Sequence, residues 1–417
     1  MKKFYIYLVS LFLVNAVNAQ WNPQNSGTTE NLYSVHFPDA SIGYAVGAHN
    51  TILKTTNGGS DWVTLVSGGA VGKYSAFFID TLTGYVVGGN GHIKKTINGG
   101  NNWTPQYNNI SQTLHSVYFP NPDTGYAVGG GINSLGYNYG IVLKTTNNGT
   151  DWIVNYSSGL TGNNVNSYQS VSFLNANLGY IVGGWIETPP YYTHHSSISK
   201  TIDGGANWSI QDSLIQIQAI LNAVFFPTNE TGYIVGEYGT ILKTADGGIN
   251  WIPQTSGTTS ELNSVFFTDE NFGHIVGNDG IILKTTNGGI NWIPENSGTN
   301  ANLSSIYFPN QDTAYIVGES GTILKTNNGG SVWINDNRIS KRFLVYPNPV
   351  VNKVTVEIND ISNNSYVSII NLSGQELFKT KLTNKKANLE LTNFPNGIYF
   401  IKHINDRTVE VNKIIKE

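Results

Sequence analysis

One eight-residue stretch, Thr55-Thr56-Asn57-Gly58-Gly59-Ser60-Asp61-Trp62, constrains this chain more than any other, because seven versions of it recur in register. They end at Trp62, Trp103, Trp152, Trp208, Trp251, Trp292 and Trp333, each eight residues after a lysine (Lys54, Lys95, Lys144, Lys200, Lys243, Lys284, Lys325). A period of about 41 residues, stretched only in the middle, demands a repeat architecture. Within the motif, Asn or Asp followed by Gly-Gly or Asn-Gly permits the positive φ angles of a tight reversal. The Trp then packs at the start of the returning strand.

Each repeat reads as four strands, clearest from Leu262 to Trp292. Asn263-Ser264-Val265-Phe266-Phe267 suits an innermost strand buried on both faces. Gly273-His274-Ile275-Val276-Gly277, elsewhere Gly-Tyr-Ile/Ala-Val-Gly, carries bounding glycines that allow close strand approach. Ile281 to Thr285 forms the third strand, and Asn291-Trp292-Ile293-Pro294 opens the fourth, where an outer edge tolerates proline. Four antiparallel strands repeated radially describe a β-propeller of seven blades. Eight candidates exist for the seven fourth strands, and either the Trp21 segment or the Trp333 segment closes the ring.

The motif resembles the Asp-box of bacterial neuraminidase repeats, with Asn57, Asn98, Asn147, Asn287 and Asn328 in place of Asp, and Asp only at Asp203 and Asp246. That resemblance implies a structural turn remote from any active face. Over residues 20–334 the repeats, as in Gly232-Tyr233-Ile234-Val235-Gly236 to Trp251, are also similar to the propellers of photosystem II assembly and stability factors. The likeness implies a non-catalytic binding scaffold. Sialidases hold a substrate carboxylate with arginines, and the only arginines here are Arg338, Arg342 and Arg407, all beyond the repeats, so sialidase chemistry is excluded and the photosynthetic relatives' arginine patch is missing.

Length variation is confined to the connection between second and third strands and to the loop leading into the next repeat, which emerge on one face. From the Val-Gly glycine to the motif lysine is seven residues in five repeats, but 15 in the third (Gly129 to Lys144) and 17 in the fourth (Gly183 to Lys200). These two insertions are expected to be loops. They carry Tyr137, Tyr139, Trp185, Tyr191, Tyr192, His194 and His195, rings suited to stacking on a protein or glycan ligand. The alternative is a secreted glycan-active hydrolase or lyase using carboxylates of the same face, with Glu237, Asp279 and Glu319 in its short turns. Adjacent His194 and His195 lack the ligand spacing of a zinc site. No metal, cofactor or catalytic residue is assigned.

The chain contains no cysteine, hence no disulfide and no thiolate site. Residues 21–337 hold nine lysines against 20 acidic residues, a net of −11, which argues against nucleic acid as a partner. Seven of the nine are the motif lysines and are read as structural. Lys2 and Lys3 before an apolar run from Phe4 to Val14, then Val17-Asn18-Ala19, form a secretory signal peptide (1–19) cut near Ala19. No other stretch is apolar enough to span a membrane.

Residues 335–342 read as a linker, and 343–417 as short strands of a small immunoglobulin-like β-sandwich. This segment resembles the type A C-terminal sorting domain of type IX secretion through Tyr346-Pro347-Asn348-Pro349, Asn371-Leu372-Ser373-Gly374-Gln375, Pro395-Asn396-Gly397-Ile398-Tyr399 and the basic tail Lys413 to Lys416. The resemblance implies recognition by the type IX machinery and a final location outside the cell or on its surface. An all-β, monomeric, non-enzymatic protein is the resulting expectation.

Overall fold

The computed structural model describes residues 21–65, 70–132, 138–157, 167–187, 191–211, 217–329, 343–358, 362, 364–371, 375–405 and 409–417. The segment before Trp21, the linker, Trp333 and Tyr137 lie outside the described residues. The chain divides into two compact parts, Met1–Val332 and Trp333–Glu417.

The first part is built of β-strands and three-residue 3-10 turns among its described residues. Strand pairing groups them into seven antiparallel repeats of four. Repeat 1 runs from Leu32–His36 to Val63–Leu65, repeat 2 from Lys73–Phe78 to Thr104–Gln106, repeat 3 from Thr113–Tyr118 to Ile153–Ser157 and repeat 4 from Ser167–Phe173 to Ser209–Ile210. Repeat 5 runs from Leu221–Phe225 to Ile252–Gln254 and repeat 6 from Leu262–Phe267 to Ile293–Glu295. Repeat 7 has three local strands, Leu303–Tyr307, Ala314–Gly318 and Ile323–Thr326, and takes its fourth from the start of the chain. Asn22–Gln24 pairs antiparallel with Ile323–Thr326, Asn22 opposite Lys325. The Trp21 segment is therefore the closing strand. The first strands of successive repeats stand side by side in cyclic order, the last against the first.

The repeated residues explain this packing. In repeat 1 the ring of Phe37 lies so close over Gly43 that a Cβ there would sit 2.3 Å from it, and a Cβ at Gly47 would sit 2.0 Å from the Asn31 carbonyl. The two glycines bounding the second strand are steric requirements. Phe37 stacks on Tyr315 of the preceding repeat at 4.0 Å and receives the edge of Trp62 at 5.9 Å. The same Phe, Tyr and Trp trio recurs between later repeats, for example Phe267, Tyr233 and Trp292.

The motif lysines have a structural task that the spacing alone does not reveal. Each donates to a backbone carbonyl in the turn motif of the next repeat: Lys54 to Gly99, Lys95 to Asn148, Lys144 to Gly204, Lys200 to Gly247, Lys243 to Gly288, Lys284 to Gly329 and Lys325 to Gly58. Five tyrosines of the second strands, Tyr85, Tyr126, Tyr180, Tyr233 and Tyr315, donate a hydroxyl to the same oxygens. Burial pushes the phenols up, to about 12 for Tyr233, which keeps them protonated donors. A second set of bonds joins six of the seven junctions, where a first-strand serine accepts the backbone N–H of the next repeat, as Ser34 does from Ala76 and Ser305 from Val35; repeat 5 has Ala223 at this place.

The first strands correct one expectation. They are not buried on both faces: every one is interrupted by a bulge, and residues such as Tyr33 and His36 turn half-buried toward the axis while Leu32 and Val35 pack between repeats.

The second part pairs Phe343–Tyr346, Lys353–Ile358 and Lys386–Glu390 in one sheet and Glu376–Lys381, Tyr366–Ile370, Gly397–Ile404 and Val409–Lys416 in another. Val354, Val356, Leu389, Val367, Ile369, Ile401 and Ile414, drawn from both sheets, share one buried cluster.

Candidate functional site

The turn motif first separates structural residues from candidates. In repeat 1, Thr55 Oγ1 accepts the Gly59 N–H at 2.9 Å, Asn57 Oδ1 accepts the Asp61 N–H at 2.9 Å, and Asn57 Nδ2 donates to the Asp61 carboxylate at 2.8 Å. Where the motif has Asp the donor and acceptor exchange: Asp203 accepts from Asn207, and Asp246 from Asn250. Hydrogen bonds from Asn250 hold the Asp246 carboxyl down to about 2. The motif turn sits beside the turn between first and second strands, as the Gly58 N–H to Ser41 carbonyl bond shows.

At the other end of the repeats the 3-10 turn between second and third strands meets the loop from the preceding repeat, Ala48 N–H bonding the Asn31 carbonyl. The second residue of these turns adopts positive φ without being glycine: His49, Asn90, Tyr238, Asp279 and Ser320. Only at Tyr238 is it a large ring, and that ring is exposed.

Repeats 3 and 4 replace this turn with strand. The insertions expected as loops are continuations of the ladder: Gly125–Ile132 pairs with Asn138–Thr145, and Gly179–Ile186 with His194–Thr201, eight residues each against five and four elsewhere. Three extra residues at the usual strand rise carry each hairpin about 10 Å beyond its neighbours. Gly130 pairs with Ser167, which fuses repeats 3 and 4 into one eight-stranded sheet.

Strand alternation divides the candidates between two sides of the repeat 4 hairpin. Trp185 lies opposite His195 and stacks on it at 4.7 Å and 12°, with Glu187 at 3.6 Å from His195 Nε2. His194 turns the other way, to Glu237 of repeat 5 at 2.6 Å, beside Tyr238. Glu237 also accepts the Ile220 N–H at 2.8 Å. Tyr191 and Tyr192, at the hairpin tip, are 73% and 62% exposed. Tyr139 is separate from this group: half-buried, it packs on the cluster between repeats 2 and 3. The other turn carboxylates are also engaged locally, Asp279 by the Ser260 hydroxyl and Glu319 by the Asn302 amide. Among the described residues no three His, Asp or Glu side chains are grouped to hold a metal ion.

Sequence reasoning missed two features of the same face. Tyr238 gave no signal beyond standing where other repeats carry small or polar residues. At the axis, the residue immediately before the repeated Phe at the end of each first strand is read from sequence as part of a strand buried on both faces. His36, Phe77 and Tyr118 form one arc of rings 5.0 and 5.2 Å apart, and Phe225, Phe266 and Tyr307 another at 4.9 and 5.3 Å, joined by Tyr307 to His36 at 4.8 Å. Ser172 occupies the gap between Tyr118 and Phe225. Burial pushes the His36 imidazole down to about 4, so this collar is uncharged. Nearer the variable loops Tyr33 stacks on Tyr74 at 5.2 Å and Tyr74 meets His115 at a tilt, 5.6 Å apart, and the corresponding places in repeats 4 to 6 hold Gln169, Asn222 and Asn263.

In the second part, Asn348 joins the Pro347-Asn348-Pro349 opening to the final strand. Its Nδ2 donates to the Lys413 carbonyl and its Oδ1 accepts the Ile415 N–H, both at 2.9 Å. Gly397 pairs with Lys416, whose side chain is buried, while Lys413 projects outward.

Fold and surface define an all-β, propeller-like protein with an export tail. Residues 13–152, 206–294 and 249–352 match the family model described as photosynthesis system II assembly factor YCF48, and the chain belongs to that family. Residues 344–417 match a secretion system C-terminal sorting domain, which directs export to the cell surface or extracellular space and implies contact with the secretion machinery. Similar solved structures include YCF48 bound to D1 peptide (17% identity, TM-score 0.58, covering 74% of this chain and 96% of that one) and YCF48 from Cyanidioschyzon merolae (18%, 0.57, 74% and 98%). PorZ, a surface component of the type-IX secretion system of Porphyromonas gingivalis, is 12% identical with a TM-score of 0.57, covering 94% of this chain and 60% of that one. At these identities the likeness concerns the fold. No curated protein matches the chain.

Proposed function

We propose that this chain is a non-catalytic binding protein displayed outside the cell, which holds a protein or glycan on the face bearing the repeat 4 hairpin. In this reading the seven repeats are blades of one closed propeller, the C-terminal part is an immunoglobulin-like sandwich, and the signal peptide is cut near Ala19. The observation that carries it is the hairpin itself. Two adjacent repeats alone extend their second and third strands, and the extension in repeat 4 is braced on one side by His194 and Glu237 while it presents Trp185, Tyr191 and Tyr192. Rigid strands that expose rings at little entropic cost suit a recognition surface. The turn carboxylates Glu237, Asp279 and Glu319, each engaged by a neighbouring loop or hairpin, favour scaffolding over acid and base work.

The test is a glycan array and a cell-surface protein capture with the purified chain, beside a variant carrying W185A, Y191A and Y192A. Truncating a buried aromatic anchor costs roughly 2 kcal/mol, about 30-fold in Kd, so the triple variant should lose its ligand. A ligand held equally by both forms would remove this face from consideration. Cleavage of a bound glycan would replace binding with catalysis.

A further inference from the structure

Seven copies of one repeat allow each position to be compared with its counterparts in the same molecule. At the second residue of the second strand, six repeats carry a fully buried tyrosine: Tyr44, Tyr85, Tyr126, Tyr180, Tyr233 and Tyr315. Each stacks on a phenylalanine of the next repeat, with ring centroids 3.6 to 4.2 Å apart and planes within 20°. Five donate their hydroxyl to a carbonyl of the next turn motif, and Tyr44 donates to the Thr81 carbonyl.

Repeat 6 has His274 instead. Its smaller ring lies 5.1 Å from Phe308 and is tilted by 34°, and among the described residues its buried Nε2 has no hydrogen bond. A cavity of about 180 Å³ is lined there by His274, Phe308, Gly329 and Gln311. These walls are counterparts of the groups that the sister tyrosines touch. Phe308 corresponds to the stacking Phe267, Gly329 to the accepting Gly288, and Gln311 to Thr81. The edge-on tryptophan is also in place, because Trp21 meets His274 at 6.0 Å and 80°, as Trp292 meets Tyr233 at 6.3 Å and 88°. Phe272 and Asp312 at the rim are exposed, so the cavity opens to solvent.

A cavity and a buried ring nitrogen short of a hydrogen bond both cost stability where tyrosine would bring neither. A ring arriving from solution would fill the first, and an engineered apolar cavity of about 150 Å³ is large enough to take up benzene. The Gly329 carbonyl accepts from Lys284 at 2.9 Å. In repeat 5 the corresponding Gly288 oxygen accepts a lysine and a hydroxyl together, so a carbonyl so placed has room for a second donor. We infer that the junction of repeats 6 and 7 is a binding site for the phenol group of a ligand, stacked on Phe308 with its hydroxyl donating to the Gly329 carbonyl. The site lies at the motif end of the repeats and is independent of the repeat 4 hairpin, so either can fail without the other.

The test is thermal unfolding of the full chain with p-cresol, with N-acetyltyrosinamide, and with toluene, which has the ring of p-cresol but no hydroxyl. H274Y, which supplies the phenol covalently, is the comparison. A ligand that binds only the folded chain raises its midpoint with concentration, by ~2 °C or more at about ten times Kd. The wild type should be raised by p-cresol or N-acetyltyrosinamide and not by toluene, and H274Y by none of them. A response to N-acetyltyrosinamide identifies a tyrosine side chain of a partner as an occupant, and a response to p-cresol alone identifies a free phenol. H274F fills the same space without a hydroxyl and should be equally insensitive, which preserves the comparison should H274Y misfold. A wild type indifferent to both phenols, or raised as much by toluene, or variants that respond as the wild type does, would overturn the site.

Discussion

At the scale of single residues, the turn motif shows why Asn and Asp exchange freely while the hydrogen-bond pattern stays fixed. Asn57 and Asn147 face Asp61 and Asp151 four residues on, whereas Asp203 and Asp246 face Asn207 and Asn250. One partner supplies the amide and the other the carboxylate. The seven motif positions were legible in the sequence, but this complementarity needed the geometry. It predicts that D246N, which creates the Asn pair already present at Asn98 and Asn102, changes stability at neutral pH by less than ~1 kcal/mol. The acid limb should differ. Asp246 is depressed from 3.8 to about 2 in the folded chain, so its contribution is present above the unfolded value and lost as pH falls through the folded one. Thermal midpoints measured from pH 4 down to pH 2 should therefore fall less in D246N than in wild type, and parallel curves would contradict the assignment.

At the scale of the repeat, one element departs from its sisters in a way that predicts a stabilising change. His274 stands where the other six repeats have tyrosine, so among the described residues Gly329 receives Lys284 without a tyrosine hydroxyl, and a cavity of about 180 Å³ lies beside His274, Phe308 and Gly329. Among the described residues His274 Nε2 is buried without a hydrogen bond, 3.6 Å from Glu295. Tyrosine there can stack on Phe308, fill the space and bond the Gly329 carbonyl. H274Y is expected to stabilise the chain by about 1 kcal/mol, read as a higher denaturant midpoint at unchanged slope; a lower midpoint would show that His274 serves Glu295 instead. The substitution is visible in the sequence, where Gly273-His274 breaks a run of Gly-Tyr pairs, although its consequence is not. The same holds for the insertions of repeats 3 and 4. Their lengths and rings were legible, but their continuation as ladder was not, because Gly129-Gly130-Gly131 and Gly183-Gly184 stand where each extension begins and interrupt the strand pattern.

At the scale of the whole molecule, closure depends on four residues at the beginning of the ring. Trp21 is fully buried and donates to Glu295 at 3.0 Å, and Asn22–Gln24 completes the sheet of repeat 7. The sequence offered two closing segments with equal motifs, and only pairing could choose. W21A removes a large buried ring and leaves a buried carboxylate short of a donor, so a loss of about 3 to 5 kcal/mol is expected. Equilibrium unfolding checks it, and a loss below ~1 kcal/mol would mean that the ring holds shut without this residue.

The partners in that seam come from opposite ends of more than six repeats of chain, and this gives the protein a built-in check on its own completeness. A product that stops before Thr326, or one trimmed past Trp21, leaves a bare strand edge and either an exposed indole or an empty socket where it belonged. Such surfaces are what chaperones and proteases recognise. Only a copy with both ends of the ring in place buries that strand edge and that indole together.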